Sequence, residues 1–238
     1  MALMQRYIVI NKQKNIINGE KREMVLLRGK PCSYGKCAFC DYHLDNVGHT
    51  LEEIILFNRD VLSHVTGEFG VLEVINSGSI FEIPEESLNE IFEICKKKKI
   101  HKIYFEAFIT YKEQLEKIKE KFSEISTKVK FRLGVESFSE NFRINVLRKG
   151  ILNTDILAYA SQYESACLLV GVEGQTREMV ISDIEEAKKH FNKITLNVFS
   201  ANTTEIKENR ALKEWFYAYS KELRGEKQIE VFLDNDIF

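Results

Sequence analysis

The chain has 238 residues, of which 44% are hydrophobic and 29% charged, and a formal net charge of −2. This balance belongs to a globular protein with a full core and excludes a disordered chain. Near-neutral charge argues against a domain built to clamp a phosphate backbone, so no direct binding of tRNA is expected and a small-molecule partner is. The sequence holds no apolar run long enough for a membrane span, and Met1-Ala-Leu-Met-Gln-Arg6 lacks a signal peptide's apolar stretch. No membrane association and a reducing cytoplasm are therefore expected. In that compartment clustered cysteines bind metal more often than they form disulfides.

In chain order, Tyr7-Ile-Val-Ile10 is strand-like and Asn18-Gly19 signals a turn, so residues 5–22 read as a terminal β ribbon. Strand-like runs follow at 24–28, 71–76, 101–106, 130–136, 165–170, 193–199 and 228–233, with helical stretches between them. Thr50 with Glu53 forms a capping-box signal, and the helix it opens carries the apolar stripe Leu51, Ile54, Ile55, Val61, Leu62, Val65. Pro84 marks the first turn of the next helix. Tyr111, Leu115, Ile118 and Phe122 mark a third, Val180, Ile184, Ala187 and Phe191 a later one, and residues 211–224 around Trp215 the last. Lys96 to Lys99 read as a solvated helix C-terminus favoured by the dipole. Alternating strands and helices predict an α/β fold with a parallel sheet and right-handed crossovers. Six βα units suit a partial barrel or an open sheet, with chemistry at the C-terminal strand ends. One domain covers 1–238: a β extension over 1–23, a core over 24–200, and a final helix and strand over 201–238.

The loop after the first core strand reads Cys32-Ser-Tyr-Gly-Lys-Cys37-Ala-Phe-Cys40. Three thiolates this close suit a cubane iron–sulfur cluster with one iron left open. They also suit a structural zinc site completed by His43, or a redox thiol. Cys95 lies on a helical apolar stripe and Cys167 inside a strand-like run, and both read as packing.

The loop resembles the cluster motif of the radical S-adenosylmethionine (SAM) enzymes, although their usual spacing is three and then two residues and here it is four and then two. The resemblance implies a partial (β/α)6 barrel of the radical SAM type with a short N-terminal β extension. It implies a [4Fe–4S] cluster on Cys32, Cys37 and Cys40, with SAM on the open iron and Phe39 beside its adenine. Asn76-Ser77-Gly78-Ser79 stands where the family has a Gly-Gly-Glu type turn for the SAM ammonium. Leu133-Gly-Val-Glu136-Ser with Arg143 and Lys149-Gly150 resembles the family's Gly-x-Glu strand end, and Gly171 to Thr176 its Gly-x-x-Gly-x-Thr turn. Ser77, Gly78, Ser79, Glu136, Arg143 and Gly171 are thus implied as cofactor contacts. Glu106 ends the third core strand and, with Asp41, is the catalytic expectation. Read alone, Glu106 and Glu136 also fit solvated carboxylates, Gly171 a plain turn, and Arg143 a surface charge.

The segments from Pro31 to Tyr42, Asn76 to Phe81 and Phe232 to Asp236 resemble the queuosine lyases of gut bacteria. That resemblance implies radical cleavage of the glycosidic bond of queuosine or its 5′-phosphate, with release of queuine for salvage. His43, Asp45, Asn46, Asp234 and Asp236 are the substrate-binding expectations, since acids and amides suit hydroxyls and an amine. An electron donor such as flavodoxin or ferredoxin is the implied partner. Three alternatives stay open: radical SAM chemistry on another small metabolite, a zinc-stabilised glycosidic hydrolase using Glu106 and Glu136, and a non-catalytic metal-binding module.

Overall fold

The strands alternate in what their two faces meet, and this alternation builds the molecule. The computed structural model describes residues 6–234. In β3 (Arg22–Leu27), β4 (Val71–Asn76), β5 (Lys102–Glu106), β6 (Lys128–Glu136), β7 (Ser165–Val170), β8 (Lys193–Val198) and β9 (Ile229–Phe232), one set of side chains is apolar. Val25, Leu72, Val74, Phe105, Phe131, Leu168 and Leu196 belong to it and form the main core, which the helices cover from outside. The opposite set, including Glu73, Glu106, Arg132 and Thr195, faces a cavity inside the sheet's curve.

These seven strands are parallel and adjacent in sequence order, with helical crossovers between them. The helices are α1 (Leu51–Ser63), α2 (Glu85–Lys98), α3 (Leu115–Ser123), α4 (Glu140–Asn145), α5 (Asn153–Tyr159), α6 (Arg177–His190) and α7 (Arg210–Tyr219). Thr50 caps α1 in a capping box with Glu53, and Pro84 precedes α2. Lys99 closes α2 in the left-handed conformation after three lysines in its last turn. Leu51 departs from the expected stripe and is exposed in the first turn of α1. The last helix ends at Tyr219 rather than 224. The six- and seven-residue α4 and α5 had no visible sequence signal, because so few turns carry no readable period.

The N-terminal segment is not a hairpin ribbon. Its two strands, β1 (Tyr7–Ile10) and β2 (Ile16–Ile17), pair with opposite edges of the sheet: β1 runs antiparallel to β3, and β2 antiparallel to β9. Ile8, Ile10, Met24 and Phe232 pack with Ile16 and Ile75, so this segment fills the gap between first and last parallel strands. The Asn18-Gly19 signal serves that closure. The Asn18 amide donates to the carbonyls of Leu223 and Ile229 and accepts from the Gly225 N–H, which clamps the approach to β9. Beneath the cavity, Arg22 of β3 reaches Glu230 of β9 at 2.7 Å and also binds Glu73 of β4. Arg132 of β6 binds Glu73 at 2.7 Å. The result is a curled, nine-strand half-barrel whose edges are joined by the N-terminus and by buried ion pairs. Among the described residues no helix is long and apolar enough to cross a membrane.

Candidate active site

A cavity of about 390 Å³ opens at the C-terminal strand ends and reaches down between the strands. Cys32, Cys37 and Cys40 line it on one side, from the loop after β3. Gly35 supplies the positive φ of +55° on which that loop turns. The loop is held from three directions. The Glu82 carboxylate accepts the Ser33 N–H at 2.6 Å and the Ser79 N–H at 2.7 Å, linking the cysteine loop to the turn after β4. Tyr34 donates to the Arg148 carbonyl and accepts from the Gly150 N–H, both at 2.7 Å. The Asn202 amide donates to the Phe39 carbonyl at 2.8 Å, and the Asp41 carboxylate accepts from the N–H and hydroxyl of Thr203.

All five cysteines are free thiols. Burial pushes the Cys37 thiol up to about 12 and Cys40 to about 11, while the Lys149 ammonium pulls both the other way. Such thiols become thiolates when a metal supplies the missing positive charge. Among the described residues no three His, Cys, Asp or Glu side chains converge on a point where a single ion would sit. In a cubane cluster each thiolate takes a different iron.

Beside the loop, Lys149 and Glu136 form a buried ion pair of 2.6 Å. Burial alone pulls the Lys149 ammonium down, but Glu136 and Cys37 outweigh it and hold it above its ordinary value. The ammonium also lies 5.9 Å from the ring centres of both Phe39 and Phe108. Glu136 adopts φ +65° where the β6–β7 register slips. Gly134 leaves the room for this pair, since a Cβ there would stand 2.5 Å from Lys149 Nζ and 2.7 Å from Glu136 Oε1. Gly78 plays the same part for Glu82, whose Oε2 would be 2.1 Å from an added Cβ.

Deeper in, Glu106 ends β5 beside Arg132. Among the described residues its carboxylate has no hydrogen bond, because Arg132 is taken by Glu73 and Thr195. Burial, and then the Glu73 charge, raises it from 4.5 to about 7. Glu73, between Arg132 and Arg22, shows the reverse. Burial works against its charge, but the two guanidiniums hold it below the ordinary carboxylate range.

The expected residues divide by place. Cys32, Cys37, Cys40, Phe39, Asp41, Ser77, Gly78, Ser79, Glu106 and Glu136 share the cavity. The others stand outside its lining. Asp45 is gripped by both Arg6 Nη atoms and accepts from Ser77 Oγ. Asn46 is buried as a strut, accepting the Gly29 N–H and donating to the Lys30 and Ser77 carbonyls. Arg143 is fully buried and donates to the Ile151 carbonyl and Asn153, tying together the connection after β6. Gly171 turns at φ +94° against the Lys213 stem. His43 and Asp234 do not line the cavity, and Asp236 lies outside the described residues. Of the two packing cysteines, Cys95 sits in the outer core, whereas Cys167 is buried but faces the cavity. Sequence reading missed Glu82, Glu73, Arg132, Thr195 and Asn197 as cavity residues. A usable signal existed: charged or amide side chains at alternate positions of otherwise apolar strands.

No protein-family model and no curated protein matches the chain. Among solved structures, a queuine lyase from Clostridium spiroforme bound to SAM and queuine is 38% identical. The match covers 98% of this chain and 97% of that one, with a TM-score of 0.86. The chain belongs to the queuine lyase family of radical SAM enzymes. A methylornithine synthase shares the fold at 18% identity and TM-score 0.58, over 87% of this chain and 64% of that one. Radical SAM enzymes work with a [4Fe–4S] cluster and SAM. The residues present fit both groups: three free cysteines on one cavity wall, an aromatic beside them, and a buried polar turn at Ser77 to Ser79. The hydrolase alternative loses its acid–base pair, because Glu136 is bound to Lys149 and only Glu106 is unengaged.

Proposed function

We propose that this protein cleaves the glycosidic bond of queuosine or queuosine 5′-phosphate and releases queuine for salvage. The observation that carries this reading is one continuous cavity, running from three cysteines to a polar inner strand face, in a chain matched end to end by a queuine-bound relative. The cluster and SAM, when bound, supply a 5′-deoxyadenosyl radical. The chain's own residues position and enclose. Cys32, Cys37 and Cys40 hold the irons. Phe39, Ser77, Gly78, Ser79 and the Glu136–Lys149 pair shape the SAM side. Asp41 pins the cysteine loop through Thr203, so its part is positioning. Glu106, the carboxylate without a partner, grips the substrate or moves its protons. Leu26, Ile75, Phe108 and Leu169 line the same space and keep water from the reacting atoms.

The reading places the protein in the reducing cytoplasm with a flavodoxin- or ferredoxin-type electron donor and a free nucleoside or nucleotide substrate. The test is anaerobic incubation of the reconstituted, reduced protein with SAM and queuosine, followed by chromatography for 5′-deoxyadenosine and queuine. Both products are expected. Formation of 5′-deoxyadenosine without queuine would overturn the substrate and leave the family standing.

A further inference from the structure

The cavity has two levels. Glu136 and Lys149 sit at its mouth, where the Lys149 ammonium lies 5.9 Å from the Phe39 ring of the cysteine loop. Arg132, four residues earlier on β6, lies lower along the strand, and Glu106 is its partner in register. The radical source therefore belongs to the upper level, and the part of a substrate extending away from it reaches the lower one. In a nucleoside whose sugar faces the radical, that part is the base.

The lower level is selective in what it offers. Its cations are already engaged, Arg132 by Glu73 and Thr195, and Arg22 by Glu73 and Glu230. Among the described residues Glu106 remains as an acceptor with no donor, and the Asn197 side chain, on β8, also lines the cavity without a hydrogen-bond partner. Leu26, Ile75 and Leu169 supply apolar walls between them. Apolar walls suit a flat ring, and a planar carboxylate is best matched by two parallel N–H donors. A buried ammonium is disfavoured at this depth, because it would have to be desolvated next to two guanidiniums.

Resting on the substrate reading above, we propose that Glu106 recognises the base of the substrate, accepting the N1–H and exocyclic amine of its 7-deazaguanine ring. Glu106 is then the specificity-determining residue, and it selects guanine-type bases over bases that lack the amine. Its neighbour Arg132 is claimed by Glu73 and Thr195, so the carboxylate stays open for the ligand.

The test is a binding cycle on the reconstituted holoenzyme with SAM present, read by titration calorimetry. The probes are queuine and the queuine analogue lacking the exocyclic amine, against the unaltered protein and Glu106→Gln. In the unaltered protein, deleting the amine is expected to weaken binding tenfold or more. In Glu106→Gln, queuine itself should bind at least tenfold more weakly, and deleting the amine should cost little further, because both changes remove one interaction. Iron content and SAM affinity of the variant should match the unaltered protein, which separates lost recognition from lost structure. Equal effects of amine deletion in both proteins, or unchanged queuine affinity in the variant, overturn the inference alone. An unaltered protein that binds no queuine overturns the substrate reading and this inference with it.

Discussion

Replacing Glu106 with Gln is expected to make the protein more stable, and to do so only toward alkaline pH. The folded carboxyl titrates at about 7 against an ordinary 4.5, because burial and the Glu73 charge disfavour its ionised form. A raised folded pKa means that the native state binds the proton more tightly than the unfolded chain. The stability this group contributes is therefore present in full below the unfolded value and lost as pH rises through 7. A gap of two to three units corresponds to about 3 kcal/mol of native-state cost once Glu106 is ionised. That figure is a ceiling, because the carboxylate borders a cavity that water reaches and screens. Glutamine keeps the shape and has no such titration. At about pH 5 the two proteins should differ little, and by about pH 8.5 the variant should lead by up to ~3 kcal/mol. For a chain of this length that is roughly 6–12 °C in Tm at most. Urea unfolding followed by circular dichroism on the anaerobic protein, at a series of pH values, measures the difference. Parallel stability profiles for the two proteins across that range would refute the claim that Glu106 is held uncompensated in the barrel. Queuine, by supplying donors to the carboxylate, should narrow the gap.

Three further outcomes follow from the same structure. Arg22→Met removes a fully buried guanidinium that joins β3 to β4 and β9, and should cost about 3–5 kcal/mol in denaturant unfolding; a loss under about 1 kcal/mol would show that the ion pairs do not hold the barrel's edges together. Gly78→Ala drives a Cβ to within 2.1 Å of Glu82 Oε2, so the Ser33 and Ser79 anchors should loosen, and SAM affinity measured by calorimetry should fall at least tenfold while far-ultraviolet circular dichroism is retained. Serine at Cys32, Cys37 or Cys40 should abolish the visible absorption of a reconstituted cluster, whereas alanine at Cys95 in the outer core should leave it intact and cost only packing stability; a colourless Cys95→Ala protein would contradict the assignment of ligands.

Much of the fold was legible because local rules and global structure agree. The seven parallel strands fall within two residues of the runs of apolar and β-branched side chains that mark them, and Thr50 with Glu53 and Pro84 start their helices where expected. The cysteine loop was legible for the same reason: its chemistry lies in spacing, and spacing is a property of the chain. The N-terminal β extension was legible but the pairing of its strands was not, because Asn18-Gly19 carries a turn signal but no address. Whether β1 pairs with β2 or with a distant edge depends on the two open edges of the sheet, β3 and β9, which lie far apart in sequence.

The amino-acid order by itself determined the parallel α/β architecture, the cluster of three thiols and the end of the sheet on which that cluster lies, since each follows from periodicity or from side chains a few residues apart. Only the tertiary structure decided which polar residues meet the cavity. Asp45, Asn46 and Arg143 are polar and near the motifs, yet their hydrogen bonds are spent on Arg6, on backbone carbonyls and on each connecting loop. Glu106 differs from them through one circumstance: Arg132, beside it in register, is claimed by Glu73 from a third strand. Such competition among residues far apart in sequence is settled by distance and desolvation in the folded barrel, which a linear pattern does not record.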